Sequence, residues 1–223
     1  MPLNDVGPNL KVSVPLESIP MLATTAHVCG LKFIVTPFAP SLVEPLRHHV
    51  DMVKISAYDL TYWDLIQAAT RLDVPIILST AMATEREVEQ AWEWVRDVNR
   101  EIDIIFLQGV AQYPASALNY NLRVLRRNLG RWGVSDHTLG YEIPSLAVAL
   151  GACMVEKHFR TFSTSQKSPD YAHSLNPHQF KIMVKDIERT LRILGDGEKR
   201  GPLPGEMELY TTCRRTNEKP LRG

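Results

Sequence analysis

The sequence predicts an α/β fold in which parallel strands are arranged as a (β/α) barrel with six recognisable strands. Three observations predict it. Short apolar segments recur along the 223 residues with amphipathic stretches between them. The apolar segments are almost uninterrupted runs of β-branched and aliphatic residues, as strands covered on both faces require. Polar, potentially reactive residues recur at the ends of these segments, where a parallel barrel gathers its chemistry. A Rossmann sheet would instead carry a glycine-rich phosphate loop after its first strand, and neither GxGxxG nor Walker A occurs.

The strands are expected at Leu31 to Val35, Met52 to Ile55, Pro75 to Leu78, Ile102 to Leu107, Trp132 to Val134 and Cys153 to Val155. Val12 to Val14 is a further short candidate. Parallel neighbours need crossovers, which Tyr62 to Leu72, Glu85 to Arg96, Leu118 to Asn128 and Ile143 to Leu150 can supply as helices. The second of these carries Val88, Trp92 and Val95 at helical spacing, and Thr84 with Glu87 has the spacing of a capping box. Ser163 to Pro177 reads as an extended loop before an amphipathic helix from His178 to Leu194. An eight-strand barrel typically takes about 250 residues, so six strands predict incomplete closure. Residues 1–195 are therefore expected to form a shortened barrel domain, and 196–223, with GDGEKRGPLPGE, a linker or tail.

Lys plus Arg and Asp plus Glu each total 25, so the formal charge is zero and favours neither nucleic acid nor an anionic membrane. No apolar run reaches the roughly 18 residues that span a bilayer, and the first residues lack a signal-peptide pattern. A cytoplasmic protein is the expectation. Cys29, Cys153 and Cys213 are odd in number and widely spaced, which suits buried or incidental thiols better than a disulfide framework.

Several polar residues stand at strand ends. His137 and His158 each follow an apolar segment, and a crossover between adjacent strands would bring both imidazoles to one rim. Such a pair suits Mn²⁺, Fe²⁺, Co²⁺ or Zn²⁺ better than an all-oxygen Mg²⁺ site, while two structural histidines are the alternative. Lys54, within MVKIS, must point somewhere sheltered or functional. Thr36, Ser79 and Ser135 occupy comparable positions, where turn capping explains each hydroxyl equally well. Asp136 and Glu156 can support the rim through hydrogen bonds. Lys157 should face away from its neighbour His158, because successive strand residues alternate.

The ordered set LKFIVTPF, MVKIS, VPIILSTAMAT, QYPA, GVSDHTLGYE, ALGACMVEKHF, SPDYAHSLNPHQF and GDGEKRGPLPGE resembles the sialic acid synthase family, which includes synthases of related nonulosonic acids. The likeness runs from about Leu31 to Arg215. It implies a (β/α)8 barrel of the TIM type, of which strands three to eight are recognisable here. The implied activity condenses phosphoenolpyruvate with an open-chain N-acetylated amino sugar, N-acetylmannosamine or a relative, and releases phosphate. It further implies a divalent metal on His137 and His158, with Mn²⁺ first and Mg²⁺ or Co²⁺ as alternatives. Lys54, Thr36, Ser79 and Ser135 match the phosphoenolpyruvate contacts. Tyr113 and Asp170 match residues beside the sugar, where a packing tyrosine and a turn aspartate are the alternatives.

The family's first two strands, with a glutamate and a lysine near phosphoenolpyruvate, have no match, and its C-terminal antifreeze-like domain is absent from the sequence. A homodimer, or a barrel completed by another chain, is therefore expected. Ala57 stands where a phosphate-contacting serine is common, with Ser56 beside it. Ala81 replaces a glycine, Ala111 a polar residue, and Gln108 a frequent histidine. These departures keep a second expectation open, a catalytically weak sugar-phosphate or metal-binding homologue.

Overall fold

The computed structural model describes residues 14–215. Its centre is one six-stranded parallel sheet, with strands β1 (Ile34–Val35), β2 (Met52–Ile55), β3 (Ile76–Ser79), β4 (Ile104–Gly109), β5 (Arg131–Asp136) and β6 (Val155–Lys157) side by side in chain order. Six helices accompany it: α1 (Ile19–Val28), α2 (Trp63–Thr70), α3 (Glu85–Val98), α4 (Glu142–Ala149), α5 (Pro177–Leu194) and α6 (Met207–Thr212). Sequential order with parallel pairing throughout is the barrel's topology.

Side-chain alternation divides the strands between two cores. Val53, Ile55, Ile76, Leu78, Ile104, Phe106, Trp132 and Val134 pack outward with residues of the helical layer, including Leu65, Ile66, Val88, Val95 and Ala147. Ile77, Ile105 and Leu107 form a second, inward cluster with Met52 and Met154. Because the period is two, Lys54, Ser79, Ser135 and Glu156 share the inward face with that cluster and stand beyond it toward the strands' C-terminal ends. The apolar layer thus lies beneath a polar one.

The sheet is curled into a partial barrel. Lys54 on β2 and Glu156 on β6 are separated by three intervening strands, which in a flat sheet would set them roughly 19 Å apart, yet their charged atoms are 3.1 Å apart. Gly133 permits close approach inside the curl: a Cβ there would stand 2.5 Å from the Met154 carbonyl and 2.9 Å from Leu107. No such room exists for alanine.

The expected α3 is present, with the Thr84–Glu87 capping box formed in both directions. Asn176 and Gln179 form a second box that starts α5. Leu118 to Asn128 is not a helix. Asn121 takes a left-handed conformation (φ 44°), dividing the segment into 3₁₀ turns at Ala117–Asn119 and Leu122–Arg126. Strands β5 and β6 run further than their apolar cores, so Ser135, Asp136, Glu156 and Lys157 are strand residues. Within the Ser163 to Pro177 segment, Leu175 makes a parallel bridge to Phe159. Its N–H donates to the His158 carbonyl (2.8 Å), and its carbonyl accepts from Arg160 (2.9 Å).

Val14 is not in a strand, and the rest of the candidate Val12 to Val14 lies outside the described residues. The described part of the tail after Leu194 is exposed. Cys29, Cys153 and Cys213 are exposed and unpaired, so of the two expected readings they are incidental and not buried thiols. No helix among the described residues is long and apolar enough to cross a membrane.

Candidate active site

At the C-terminal ends of the strands, Lys54, Ser56, Ala57, Ser79, Ala81, Ala111, Tyr113, Ser135, His137 and Glu156 line one recess. Lys54 enters from β2 and Ser79 from β3, while Ser135 and Glu156 enter from β5 and β6. The Ser135 hydroxyl donates to Glu156 Oε1 at 2.7 Å, and the other carboxylate oxygen faces Lys54 Nζ. An ammonium has three donors, so one carboxylate partner leaves Lys54 able to bind an anion.

His137, just past β5, is held on several sides. Its N–H donates to the buried Tyr120 hydroxyl (2.7 Å), its carbonyl accepts from Ala115 N–H (3.0 Å), and its Nδ1 lies 2.8 Å from the Val110 carbonyl. A carbonyl only accepts, so Nδ1 carries a proton, and Nε2 is turned toward the recess, 3.2 Å from Ser135 Oγ. Tyr120 in turn faces the Ser135 carbonyl at 3.2 Å, and burial pushes its phenol up to about 12. Tyr113 stacks obliquely on His137, with ring centroids 4.3 Å apart. Burial, with the nearby Tyr58 and Glu156, raises its phenol to about 12 as well.

Beside this recess stands a second group. His158 follows β6, and the Leu175 bridge brings the preceding turn against it. One ligand atom from each of His158, Asp170 and His173 lies within 4.8 Å of the others. The turn is tied by Ser174, whose hydroxyl donates to the Asp170 carbonyl (2.6 Å), and by Arg160 stacked over Tyr171 at 4.0 Å. Burial lowers the basicity of both His158 and His173, opposed by the Asp170 carboxylate. Burial is the larger effect, so the net shift favours neutral imidazoles with free lone pairs. Imidazole nitrogens with one carboxylate fit Mn²⁺, Fe²⁺, Co²⁺ or Zn²⁺, so the donor chemistry of the rim suits a divalent ion.

Of the residues singled out in the sequence, Lys54, Ser79, Ser135, Tyr113 and His137 line the recess; His158 and Asp170 stand beside it, His158 5.5 Å from His137 between ring centroids. Thr36, half-buried after β1, does not line it. Glu156 is part of the recess. Asp136 and Lys157 face the other side of the sheet as a fully buried ion pair (3.0 Å), with Asp136 also accepting from Thr138 N–H (2.8 Å). Gln108 also turns away and donates to the Tyr120 carbonyl at 2.9 Å, so its departure from histidine leaves the recess untouched. A wider, open groove between α4 and α5, lined by Glu142, Ser145, Asp186 and Arg189, lies elsewhere.

Two contributors escaped the sequence reading. His173 stands three residues after Asp170, a spacing visible in SPDYAHSL, but only the bridge to β6 gives it meaning. Tyr120 lies in a segment whose apolar pattern reads as a helix, which concealed its role beneath His137.

The sequence profile of the NeuB family matches residues 9–199. The chain belongs to the NeuB family. It is 37% identical over 196 residues to the pseudaminic acid synthase of Helicobacter pylori, covering 85% of this chain and 57% of that protein. It is 32% identical over 204 residues to the N,N'-diacetyllegionaminic acid synthase of Legionella pneumophila, covering 88% and 57%. Among solved structures, the N-acetylneuraminic acid (sialic acid) synthetase of Leptospira borgpetersenii serovar Hardjo-bovis, in complex with citrate, superposes with a TM-score of 0.80 at 28% identity. That match covers 91% of this chain and 73% of that one. This NeuB-family chain spans just over half the length of these two curated relatives.

Proposed function

We propose that this chain carries the catalytic rim of a nonulosonic acid synthase, which joins phosphoenolpyruvate to an open-chain N-acetylated amino sugar and releases phosphate. The observation that carries the reading is convergence. An ammonium and two hydroxyls (Lys54, Ser79, Ser135) share one recess with Tyr113 and His137, against His158 and Asp170. The relatives' names, as synthases of pseudaminic, legionaminic and sialic acids, support it.

In this reading Lys54, Ser79 and Ser135 hold the phosphate and carboxylate of phosphoenolpyruvate, while Tyr113 and Asp170 orient the sugar. Such placement converts a bimolecular encounter into a local reaction. The methylene carbon of phosphoenolpyruvate forms a bond to the sugar aldehyde carbon, and the aldehyde oxygen takes up a proton. Water adds to the former enol carbon and phosphate leaves with its bridging oxygen, giving a 2-keto acid. His137 and His158 would hold the divalent ion, Mn²⁺ first, which when bound supplies Lewis-acid polarisation of the aldehyde.

A second reading has its own observation. Ala57, Ala81 and Ala111 all face the recess, so methyl groups stand at three lining positions. A weak sugar-phosphate or metal-binding homologue is that alternative. Phosphate release from phosphoenolpyruvate, assayed with Mn²⁺ and a panel of N-acetylhexosamines, separates the two. Release that depends on the acceptor supports the synthase. No release by folded, metal-bound protein overturns it.

The reading includes assembly and place. Among the described residues β1 pairs only with β2 and β6 only with β5 within the named sheet, and Phe38, Phe159 and Phe162 are exposed near these two sides. Closure by further polypeptide, through a homodimer or a barrel completed in another chain, covers such edges, in a cytoplasmic enzyme. Native mass and solution scattering should give at least two chains per particle; a compact monomer counts against this part.

A further inference from the structure

The least explained buried group in this chain is the imidazole of His173. Its side chain is 1% exposed, yet neither ring nitrogen has a hydrogen-bond partner. The nearest carboxylate oxygen, Asp170 Oδ1, is 3.5 Å from Nε2 and lacks hydrogen-bond geometry. A neutral imidazole carries one donor and one acceptor, and buried histidines that serve only packing ordinarily satisfy both. The ring is also not in an apolar setting. Its centroid lies 4.7 Å from that of His158, 6.3 Å from that of His137 and 5.3 Å from that of Tyr113.

Those separations are informative. Imidazoles bound through nitrogen at about 2.1 Å to one ion have ring centroids roughly 4.5 to 6.5 Å apart, depending on the angle at the ion. All three histidine pairs fall within that interval, His137 and His158 at 5.5 Å included; the ligand atoms of His158, Asp170 and His173 already lie within 4.8 Å of one another, and His137 must shift toward them to share the ion. Asp170 adds a carboxylate to the same group, with Oδ2 3.8 Å from His158 Nδ1. The parallel bridge at Leu175 fixes the turn carrying Asp170 and His173 against β6, so the arrangement belongs to the fold and not to a loose loop.

We propose that His173 is a third imidazole ligand of the divalent ion at this rim, joining His137 and His158 beside the Asp170 carboxylate. The inference rests on the reading that the rim binds such an ion and adds a ligand to it. A site with three imidazoles prefers Mn²⁺, Fe²⁺, Co²⁺ or Zn²⁺ to Mg²⁺. It also leaves fewer positions for water or sugar than a two-histidine site.

The test uses Mn²⁺ and Co²⁺ alone, without substrate, on the full chain. Pulsed electron paramagnetic resonance of bound Mn²⁺ should count three imidazole nitrogens in the wild-type protein and two in His173→Gln. Calorimetry should show at least a tenfold loss of Mn²⁺ affinity in that variant, and the rise in melting temperature on adding Mn²⁺ should shrink with it. The Co²⁺ absorption bands should shift as a nitrogen is lost. Two imidazoles in the wild type, with unchanged Mn²⁺ affinity in folded His173→Gln, would overturn the proposal while leaving a His137–His158 site intact. Absence of Mn²⁺ binding by the wild-type chain would remove both. The wild-type count needs no variant, so misfolding of His173→Gln does not protect the idea.

Discussion

Lys54 Nζ lies 3.1 Å from Glu156 Oε2, an ion pair that joins β2 to β6 across the concave face of the sheet. The pair bears directly on anion binding, because Glu156 sets a negative charge beside the ammonium that the proposed function assigns to phosphoenolpyruvate. The side chains are partly exposed, at 17% and 35%, so the pair can open to a ligand.

Lys54→Met should therefore lower kcat/KM for phosphoenolpyruvate while leaving Mn²⁺ affinity unchanged. A hydrogen bond to a charged group is worth about 1.5–3 kcal/mol, which corresponds to a loss on the order of 10- to 150-fold. Glu156→Gln should act in the opposite direction on ligand binding, tightening phosphoenolpyruvate in calorimetry by removing a competing charge. Equal phosphoenolpyruvate affinity in all three proteins would separate Lys54 from the anion site.

The Asp136–Lys157 pair is fully buried and sits on the sheet's outer side, so its loss should be read in stability before activity. Lys157 also donates to the Thr138 carbonyl at 2.6 Å. Removing one member leaves the other charge without its partner, at a cost of about 3–5 kcal/mol. Lys157→Met and Asp136→Asn should each approach that loss in urea unfolding. The double variant should be less destabilised than the two added together, since neither charge is then stranded. Strict additivity would show that the pair does not act as a unit.

Tyr120 links pH to folding. Burial raises its phenol from 10 to about 12 in the folded chain, so between these values the unfolded chain releases its proton first. The unfolded state then binds fewer protons, and stability falls as pH rises from about 10 to 12, by about 2–3 kcal/mol for this group. Burial lowers the Lys157 pKa and gives an opposite alkaline slope, so the useful measurement is the difference between wild type and Tyr120→Phe. The variant should lose about 1–3 kcal/mol at neutral pH, as the His137 N–H is left without its acceptor. It should also unfold with a less negative pH slope above 10. Identical slopes would remove Tyr120 from the alkaline transition.

Much of this fold is legible in the local pattern of residues. An uninterrupted apolar run such as Ile104 to Leu107 is what a strand covered on both faces, as in a parallel sheet between layers, requires. The alternation of Val53 with Lys54, or of Ser135 with Asp136, decides which residue faces the strand-end recess and which the helices. The capping box at Thr84 and Glu87 is equally local. These features depend on neighbours within a few residues, and the amino-acid sequence by itself determined them.

Other relationships required the folded chain. Leu118 to Asn128 has the composition of a helix, but left-handed Asn121 breaks it, and Tyr120 is thereby directed beneath His137. The meeting of Lys54 with Glu156 depends on how far the sheet curls, a sum of small rotations between strands that no local pattern reports. His173 reaches His158 only because Leu175 pairs with Phe159 across a polar loop. The alternation of side chains sets the direction in which a group points, whereas the distance between groups far apart in sequence is set by packing of the whole sheet.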